Sequence, residues 1–459
     1  MAKIRLSTVS VGEIWVLRQT FKAIFGDAAT RCRFRCVLLT AAAGAALAIV
    51  STAEPGLGQE RLRGAAMPPG HGHDIVNDHV EIRDTGAAAT MVLRFSSAVA
   101  ANAFVLGSPY RVIVDLPPID FRLPPNALGE GRGKLVRAFR YGRFAPGRSR
   151  VVLDLAGPAV IDNVKVEDAG RGRRRMVFSI KGMGKAQFAA LEAAGLIGPP
   201  RGSEKTGETA RRKLGRRTEK RPVVVIDPGH GGLDPGAVAG KGVTEKDVVL
   251  AVARRLRKAL EKTGRYKVLL TRDGDEFVSL KDRQQFAREN GGDLFISLHA
   301  DALAEGTEDV SGATVYTLSN KASDEAAQRL AEKENAADLA AGLELGDSEQ
   351  EDKVRGILFD LMQRETRAFS QDFRKILLKK LSGRVRLSKA PARSAAFAVL
   401  KQTETPSVLV ELGYMSNGYD RGNLTSPKWQ STAATSLTAA VDAFFAKRNA
   451  AAGRAAAPR

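Results

Sequence analysis

The sequence predicts an α/β domain with a mostly parallel sheet and helices on both faces, preceded by a small all-β domain of sandwich type. Three observations carry that expectation. From about residue 222 to 447, short β-branched runs ending in turn residues alternate with amphipathic helical stretches, the pattern of strands joined by crossover helices. Between 74 and 181 the apolar runs are short and separated by turn residues, with no helical periodicity. A length of 459 residues with 44% hydrophobic content suffices for two or three domains with their own cores.

In chain order, Arg31, Arg33 and Arg35 precede an apolar run from Cys36 to Val50 that is too short to cross a bilayer comfortably. Ser51-Thr52-Ala53 then offers small residues for a cleavage site. Residues 1–53 are therefore expected to be a secretory signal peptide, which would place the mature chain in the periplasm with no stable membrane span. The long stretch ahead of the apolar run leaves open a downstream start or an uncleaved anchor. Both cysteines, Cys32 and Cys36, fall in this leader, so a chain cleaved after them has no disulfide and no cysteine-ligated metal. Residues 54–73 are Gly/Pro-rich and polar, as a linker is.

Within 74–181, Thr90–Phe95, Tyr110–Pro117, Ser149–Leu155 and Arg175–Ile180 read as strands. Arg-Val-Ile-Val-Asp-Leu (111–116) and Arg-Val-Val-Leu-Asp-Leu (150–155) look like copies of one unit, which predicts a sandwich built from two related halves. No cluster of catalytic residue types occurs there, so binding is the expected role, with an inert spacer as the alternative. Residues 182–221 are expected to be a linker. It is basic at its end, where Arg211, Arg212, Lys213, Arg216, Arg217, Lys220 and Arg221 crowd together. A net charge of +20 favours a polyanionic partner, and an acidic cell-wall polymer suits an exported chain. Nucleic acid is disfavoured, because no aromatic residues interleave with the basic cluster.

From 222 to 447, Val223–Ile226 is a strand running into Asp227-Pro228-Gly229-His230-Gly231-Gly232. Thr244 can cap a helix whose stripe is Val248, Val252, Leu256 and Leu260. Tyr266–Leu270, Leu294–Leu298, Ala313–Thr317, Phe397–Leu400 and Val408–Val410 read as strands. Lys281–Glu289 and Ser436–Phe445 read as helices, and 448–459 as a disordered tail. Sites in such folds gather at the carboxyl ends of parallel strands, where His230, His299 and Glu411 fall. Among five histidines, only His230 and His299 belong to this segment. With Glu245 they form a two-His, one-carboxylate set of the kind a catalytic zinc takes, with an open position left for water. The alternative for Glu245 is a carboxylate favoured at a helix N-terminus. Glu411, at the end of an apolar strand, would be an expensive buried charge unless it serves as a general base.

Asp227–Gly232, Thr244-Glu245-Lys246, Ser297-Leu298-His299-Ala300-Asp301 and Val410–Asn417, in this order, resemble the signature blocks of the N-acetylmuramoyl-L-alanine amidase family, type 3. The β region likewise resembles the AMIN domain of exported envelope proteins, which is associated with peptidoglycan binding and localisation. The resemblance implies zinc on His230, Glu245 and His299, a catalytic Glu411, and hydrolysis of the amide between the muramic acid lactyl group and L-Ala of peptidoglycan. Asp227 is expected to fix the loop by accepting hydrogen bonds rather than to bind metal.

Residues 321–346 form an insertion in which Ala322, Ala326 and Leu330 give a thin apolar stripe, so weak packing is expected. In division-associated relatives a helix here covers the site, and a Glu from it fills the zinc's open position until an activator protein displaces it. Glu332 or Glu334 could do so, and the sequence leaves the choice open; a solvated surface helix is the alternative. The expected function is therefore an exported, autoinhibited zinc amidase in septal daughter-cell separation. Another zinc hydrolase of the wall, such as a peptidase, and a non-catalytic wall-binding scaffold are the competing readings.

Overall fold

The computed structural model describes residues 75–123, 133–199, 221–302, 310–343, 357–402 and 404–455. The expected leader and first linker, both cysteines, His71, His73, the basic cluster except Arg221, and the insertion from residue 344 on lie outside the described residues. No helix among the described residues is long and apolar enough to cross a membrane.

The first part is all-β: β1 (Ile75–Asp84), β2 (Ala88–Phe95), β3 (Asn102–Leu106), β4 (Arg111–Leu116), β5 (Ile119–Phe121), β6 (Val136–Ala145), β7 (Arg148–Leu155), β8 (Ala159–Asp168) and β9 (Arg174–Gly182). They form two sheets, β5-β1-β2-β9-β8 and β3-β4-β7-β6. The two copies of the repeat are β4 and β7, and they pair with each other antiparallel, Arg111 opposite Asp154 and Asp115 opposite Arg150. Between the sheets, Met91, Leu93, Phe95, Met176 and Phe178 meet Val112, Val114, Val151 and Leu153. The outer face of the four-stranded sheet is buried as well, since Phe104, Ile113, Phe144 and Val152 cluster with Leu233 and Phe277 of the second part. Cover on both faces is why these strands read as nearly continuous apolar runs.

Helix α1 (Lys185–Ala193) lies inside the stretch expected to be linker. Phe188 holds it there, edge-on to Tyr110 with ring centroids 5.1 Å apart.

The second part contains β10 (Val223–Pro228), β11 (Val238–Ala239), β12 (Val243–Thr244), α2 (Glu245–Glu261), β13 (Lys267–Leu270), α3 (Leu280–Glu289), β14 (Leu294–His299) and β15 (Ala313–Leu318). It continues with α4 (Glu325–Asn335), α5 (Ala337–Ala340), α6 (Ile357–Leu381), β16 (Leu387–Ala395), β17 (Ser407–Glu411), α7 (Gly418–Leu424) and α8 (Pro427–Ala455). The sheet order is β13-β10-β14-β17-β15-β16. All neighbours are parallel except β15 against β17, so the expected mostly parallel sheet forms. Successive side chains of β10 go to opposite faces. Val224 and Ile226 pack with α2, α6 and α8 through Val252, Leu256, Phe373, Leu377 and Phe444. Val223 and Val225 pack on the other face with Ala287 of α3, Leu330 of α4 and Phe397.

Four expectations need correction. Phe397–Leu400 is not a strand: Ala398–Leu400 is a 3-10 turn that carries Val399 and Leu400 into the core, and a four-residue apolar run has no period to tell the two apart. Strand β16 goes unpredicted because its sequence, LSKAPARSA, carries the Lys, Pro and Arg typical of a sheet edge. The tail expected to be disordered is helical through Ala455, as its alanines favour. Thr244 makes no capping bond to the backbone; its hydroxyl donates to Asp247 at 2.6 Å.

Leu256 is fully buried between α2 and the sheet. Leu256→Ala should therefore lower unfolding free energy by about 2–5 kcal/mol, measured by chemical denaturation. A loss under about 1 kcal/mol would mean that this face is loosely packed.

Candidate metal centre and active site

The site begins where β10 ends. The chain turns through Gly229 into His230, whose φ of +58° is left-handed. Gly229 is required here, because a Cβ on it would sit 2.5 Å from the His299 ring. Asp227 anchors the turn from below, fully buried, and accepts from Thr271 Oγ1 at 2.6 Å, Ser297 Oγ at 2.7 Å and Arg283 Nη1 at 2.6 Å. Burial alone would raise its pKa, but the Arg283 guanidinium and the two hydroxyls hold it below the usual carboxylate value. Arg283 also donates to the carbonyls of Pro228 and His230, each at 2.8 Å. Arg272, 2% exposed, donates to Pro228 and Gly229 at 3.0 and 2.8 Å.

The loop after His230 folds the start of α2 back over it. Gly236, at φ +64°, makes this possible: a Cβ there would meet the Glu245 carboxylate at 2.7 Å. Glu245 is fully buried and accepts from Ala300 N at 2.7 Å and Ala237 N at 2.9 Å. His299 ends β14, in register with Glu411 at the end of β17. The topology thus brings His230, Glu245, His299 and Glu411 to the same end of the sheet.

The insertion supplies one more group. Helix α4 buries Ala327, Leu330, Ala331 and Glu334, a stripe shifted from the expected Ala322, Ala326 and Leu330. Glu334 faces the two imidazoles, and Glu332 is exposed, accepting from Gln328 at 2.9 Å. Residues two apart lie on different sides of a helix. Between this segment and the imidazoles an opening of only about 20 Å³ remains, room for about one water. A cavity of about 430 Å³, lined by Thr317, Lys321, Arg367 and Arg374, lies at the far end of β15, away from these groups.

Four ligand-type atoms surround one point. His230 Nε2 is 3.2 Å from Glu245 Oε1 and 3.7 Å from Glu334 Oε2, and His299 Nδ1 is 3.4 Å from each of the same two oxygens. A tetrahedral zinc with bonds of about 2.0–2.1 Å needs ligand atoms about 3.3 Å apart. His230 Nε2, His299 Nδ1 and Glu334 Oε1 are buried with no hydrogen-bond partner among protein atoms, as groups built for a cation would be. His230, His299 and Glu334 also satisfy the general spacing of a metal-binding cluster. Glu245 differs in that both its oxygens already accept a backbone N–H, but a carboxylate keeps further lone pairs for a cation. The donor set therefore fits zinc.

Electrostatics point the same way. Burial opposes a charged His230, yet Asp234, Glu245 and Glu334 overcome it and raise its pKa well above the ordinary imidazole value. Burial likewise opposes the charge on Glu245, and the imidazoles reverse the balance and lower its pKa well below normal. Asp234 follows the same logic and falls to about 2. Glu411 goes the other way: burial raises its pKa well above normal, and Glu245 and Asp301 reinforce this. Glu411 Oε2 accepts from Asp301 N at 3.0 Å, and Oε1 is buried without a partner.

Three contributors escape sequence reading. Asp234 accepts from His230 Nδ1 at 2.8 Å, which fixes the ring with Nε2 facing inward; a carboxylate four residues after a ligand-type His was the available clue. Lys333 of α4 pairs with Asp301, whose carboxyl is pushed up to about 6 by burial and Glu245, against the pull of Lys333. Arg283 lies on a helix whose pattern gave no sign of a buried cation.

Comparison with known proteins adds the following. Residues 224–443 match the family model described as N-acetylmuramoyl-L-alanine amidase, and residues 79–183 match the AMIN domain model. The chain is similar to N-acetylmuramoyl-L-alanine amidase AmiC of Escherichia coli O6:H1, 34% identical over 363 residues that span 75% of this chain and 83% of that one. Amidase AmiA of Escherichia coli K12 is 37% identical over 264 residues, 57% of this chain and 90% of its own. Amidase AmiC of Neisseria meningitidis serogroup B is 31% identical over 365 residues, 77% and 86% of the two chains.

Arg283→Leu should destabilise the fold by about 3–5 kcal/mol near neutral pH, because it leaves the Asp227 carboxylate buried without its cation. The depressed native pKa of Asp227 means that the wild-type contribution exists above about pH 4 and is lost as the pH falls through the native value. The gap between variant and wild type should therefore narrow toward acid. Denaturation midpoints at several pH values test this, and a gap independent of pH would show that the pair is not its source.

Proposed function

Because the chain belongs to the N-acetylmuramoyl-L-alanine amidase family and is an amide hydrolase acting on peptidoglycan, we propose that His230, Glu245 and His299 hold a zinc ion, with Glu411 as proton carrier and Glu334 as blocking ligand. The observation that carries this is the four-atom cluster, with spacings of 3.2 to 3.7 Å and orphaned buried ring nitrogens. Zinc bound there supplies Lewis acidity to the scissile carbonyl and lowers the pKa of water. The chain's own residues do the rest. Asp234 holds His230 in the tautomer that presents Nε2, and the backbone N–H groups of Ala237 and Ala300 fix Glu245. Asp301 N–H holds Glu411 Oε2, so Oε1 is the atom free to take a proton. Burial and neighbouring carboxylates raise the proton affinity of Glu411, as a group needs if it takes a proton from attacking water and returns it to the departing L-Ala nitrogen. The new bond is carbonyl carbon to water oxygen, and the broken one is carbon to nitrogen.

The insertion reading follows from the same cluster. Glu334 stands where substrate would have to approach, and the remaining opening is about 20 Å³. We therefore read residues 321–343 as an autoinhibitory segment displaced by an activator protein. The same reading makes 74–181 a wall-binding domain, 1–53 an export signal and the periplasmic septum the working place. A high positive charge suits an acidic wall polymer.

Digestion of sacculi should yield stem peptides with a new free L-Ala amino group, and chelation should stop it; cleavage between stem residues instead would make the enzyme a peptidase. His230→Ala and His299→Ala should each lose zinc by elemental analysis as well as turnover. Glu411→Gln should keep zinc yet lose about a hundred- to ten-thousand-fold in turnover, and a loss of only a few-fold would put the proton carrier elsewhere. Glu334→Ala should raise activity without an activator, whereas Glu332→Ala should leave it at the basal level.

A further inference from the structure

Resting on the reading of residues 321–343 as a blocking segment, we propose that the β domain is its latch: the paired repeat strands β4 and β7 hold the segment's C-terminal turn, and opening the site requires releasing that contact. The contact is made by the same position of each repeat. Arg111 and Arg150 open the two copies, and they are 1% and 5% exposed. Arg150 is set by a two-pronged pair with Asp115 at 2.6 and 3.0 Å, and its guanidinium lies 3.5 Å from the centroid of the Phe144 ring. Its remaining nitrogen, Nη1, donates to the carbonyls of Ala341 and Gly342, each at 3.2 Å. The repeat's second Asp, Asp154, pairs instead with Arg140, and Arg111 donates to the carbonyls of Pro109 and Leu339.

The carbonyls of Ala341 and Gly342 lie just past the end of α5, where a helix leaves acceptors for outside donors, whereas Leu339 O already accepts from Gly342 N at 2.9 Å and takes Arg111 as a second donor. Apolar contacts close the same joint. Ala341 and Leu343 pack into the cluster of Ile113, Phe144 and Val152. Gly342, at φ +77°, lies so near Ile113 that a Cβ on it would be 2.5 Å from the Ile113 Cδ1 atom. Eight positions earlier in the chain Glu334 meets the imidazoles, and α4 passes into α5 through the single residue Ala336. The short helical run is thus fixed at one end where Glu334 meets the imidazoles and at the other by the β domain.

The consequence is a coupling between the two domains. A wall fragment or a partner that binds the β domain better when its β4 and β7 face is clear of the segment shifts the enzyme toward the open state by that difference in affinity. The β domain then restrains catalysis as well as directing the enzyme to its substrate.

The test uses the full chain without activator. The double variant Arg111→Met, Arg150→Met loosens the latch from the β side. Gly342→Val loosens it from the segment side without altering any residue of the β domain, so a damaged sandwich cannot account for a shared result. Each should raise basal hydrolysis of sacculi about tenfold, as loss of a charge-assisted hydrogen bond would. Amides of residues 337–343 should exchange with deuterium faster, while those of β10 and β14 stay protected. Suppose Glu334→Ala raises activity but both latch variants remain basal with unchanged exchange: the latch is then wrong and the blocking reading stands. Faster exchange with no gain in activity also overturns the latch, since the segment would stay over the site without it. If Glu334→Ala is basal too, the blocking reading falls and takes the latch with it.

Discussion

The ion pair between Asp227 and Arg283, 2.6 Å apart with side chains 1% and 4% exposed, is the contact from which the rest of the site follows. A parallel strand normally ends in a turn that relaxes toward solvent. Here the carboxylate takes three donors, and the guanidinium goes on to hold the carbonyls of Pro228, Val278 and His230. That keeps His230 in a left-handed conformation which a bare loop would leave. Buried pairs add little net stability over apolar packing, and the gain here is positional.

With the turn fixed, charge decides the chemistry. Asp234, Glu245, Asp301, Glu334 and Glu411 surround two imidazoles, and Lys333 is the cation that α4 brings to them. So many carboxylates in a buried volume cannot all stay ionised without cations. The outcome divides by position. Glu245 sits between the imidazoles and keeps its charge, whereas Glu411, one strand over and facing Glu245 and Asp301, holds a proton more tightly. One arrangement thus pushes two neighbouring carboxyls in opposite directions, which is the division that the proposed roles of Glu245 and Glu411 require.

Much of this was legible in the chain. The three apolar runs ending at His230, His299 and Glu411, with Glu245 opening a helix, predicted a site at the strand ends, and the sheet together with the start of α2 brings these four residues there. The similar runs 111–116 and 150–155 both form strands as read, and they lie side by side in one sheet. What escaped has physical reasons. Edge strand β16 lacks an apolar face, and the Ala398–Leu400 turn has strand-like composition. The burial of Arg111 and Arg150 depends on a partner surface more than a hundred residues away, which no local period encodes. That Glu334 and not Glu332 faces the imidazoles depends on the rotation of α4, which the stripe of Ala322, Ala326 and Leu330 misjudged by about one position because alanine's small apolar area is a weak signal of the buried face.

That small apolar area also bears on how, on the proposed autoinhibitory reading, such a segment can be held and yet released. Helix α4 buries only Ala327, Leu330 and Ala331 as apolar groups, a small hydrophobic contribution. Most of the contacts that fix α4 and the adjoining α5 are polar. Asn335 exchanges hydrogen bonds with Ala396 and Ala398, the Asp338 carboxylate accepts from Leu280 N, and Asp324 lies 3.4 Å from Arg393. Each can be replaced by water when the segment lifts, so its net contribution is on the order of 1 kcal/mol, while its direction still fixes where Glu334 points. A segment built from large apolar side chains would bind more strongly and be slower to leave. On the proposed autoinhibitory reading, small residues and directional polar bonds specify one position at a free-energy difference small enough for a protein partner to reverse.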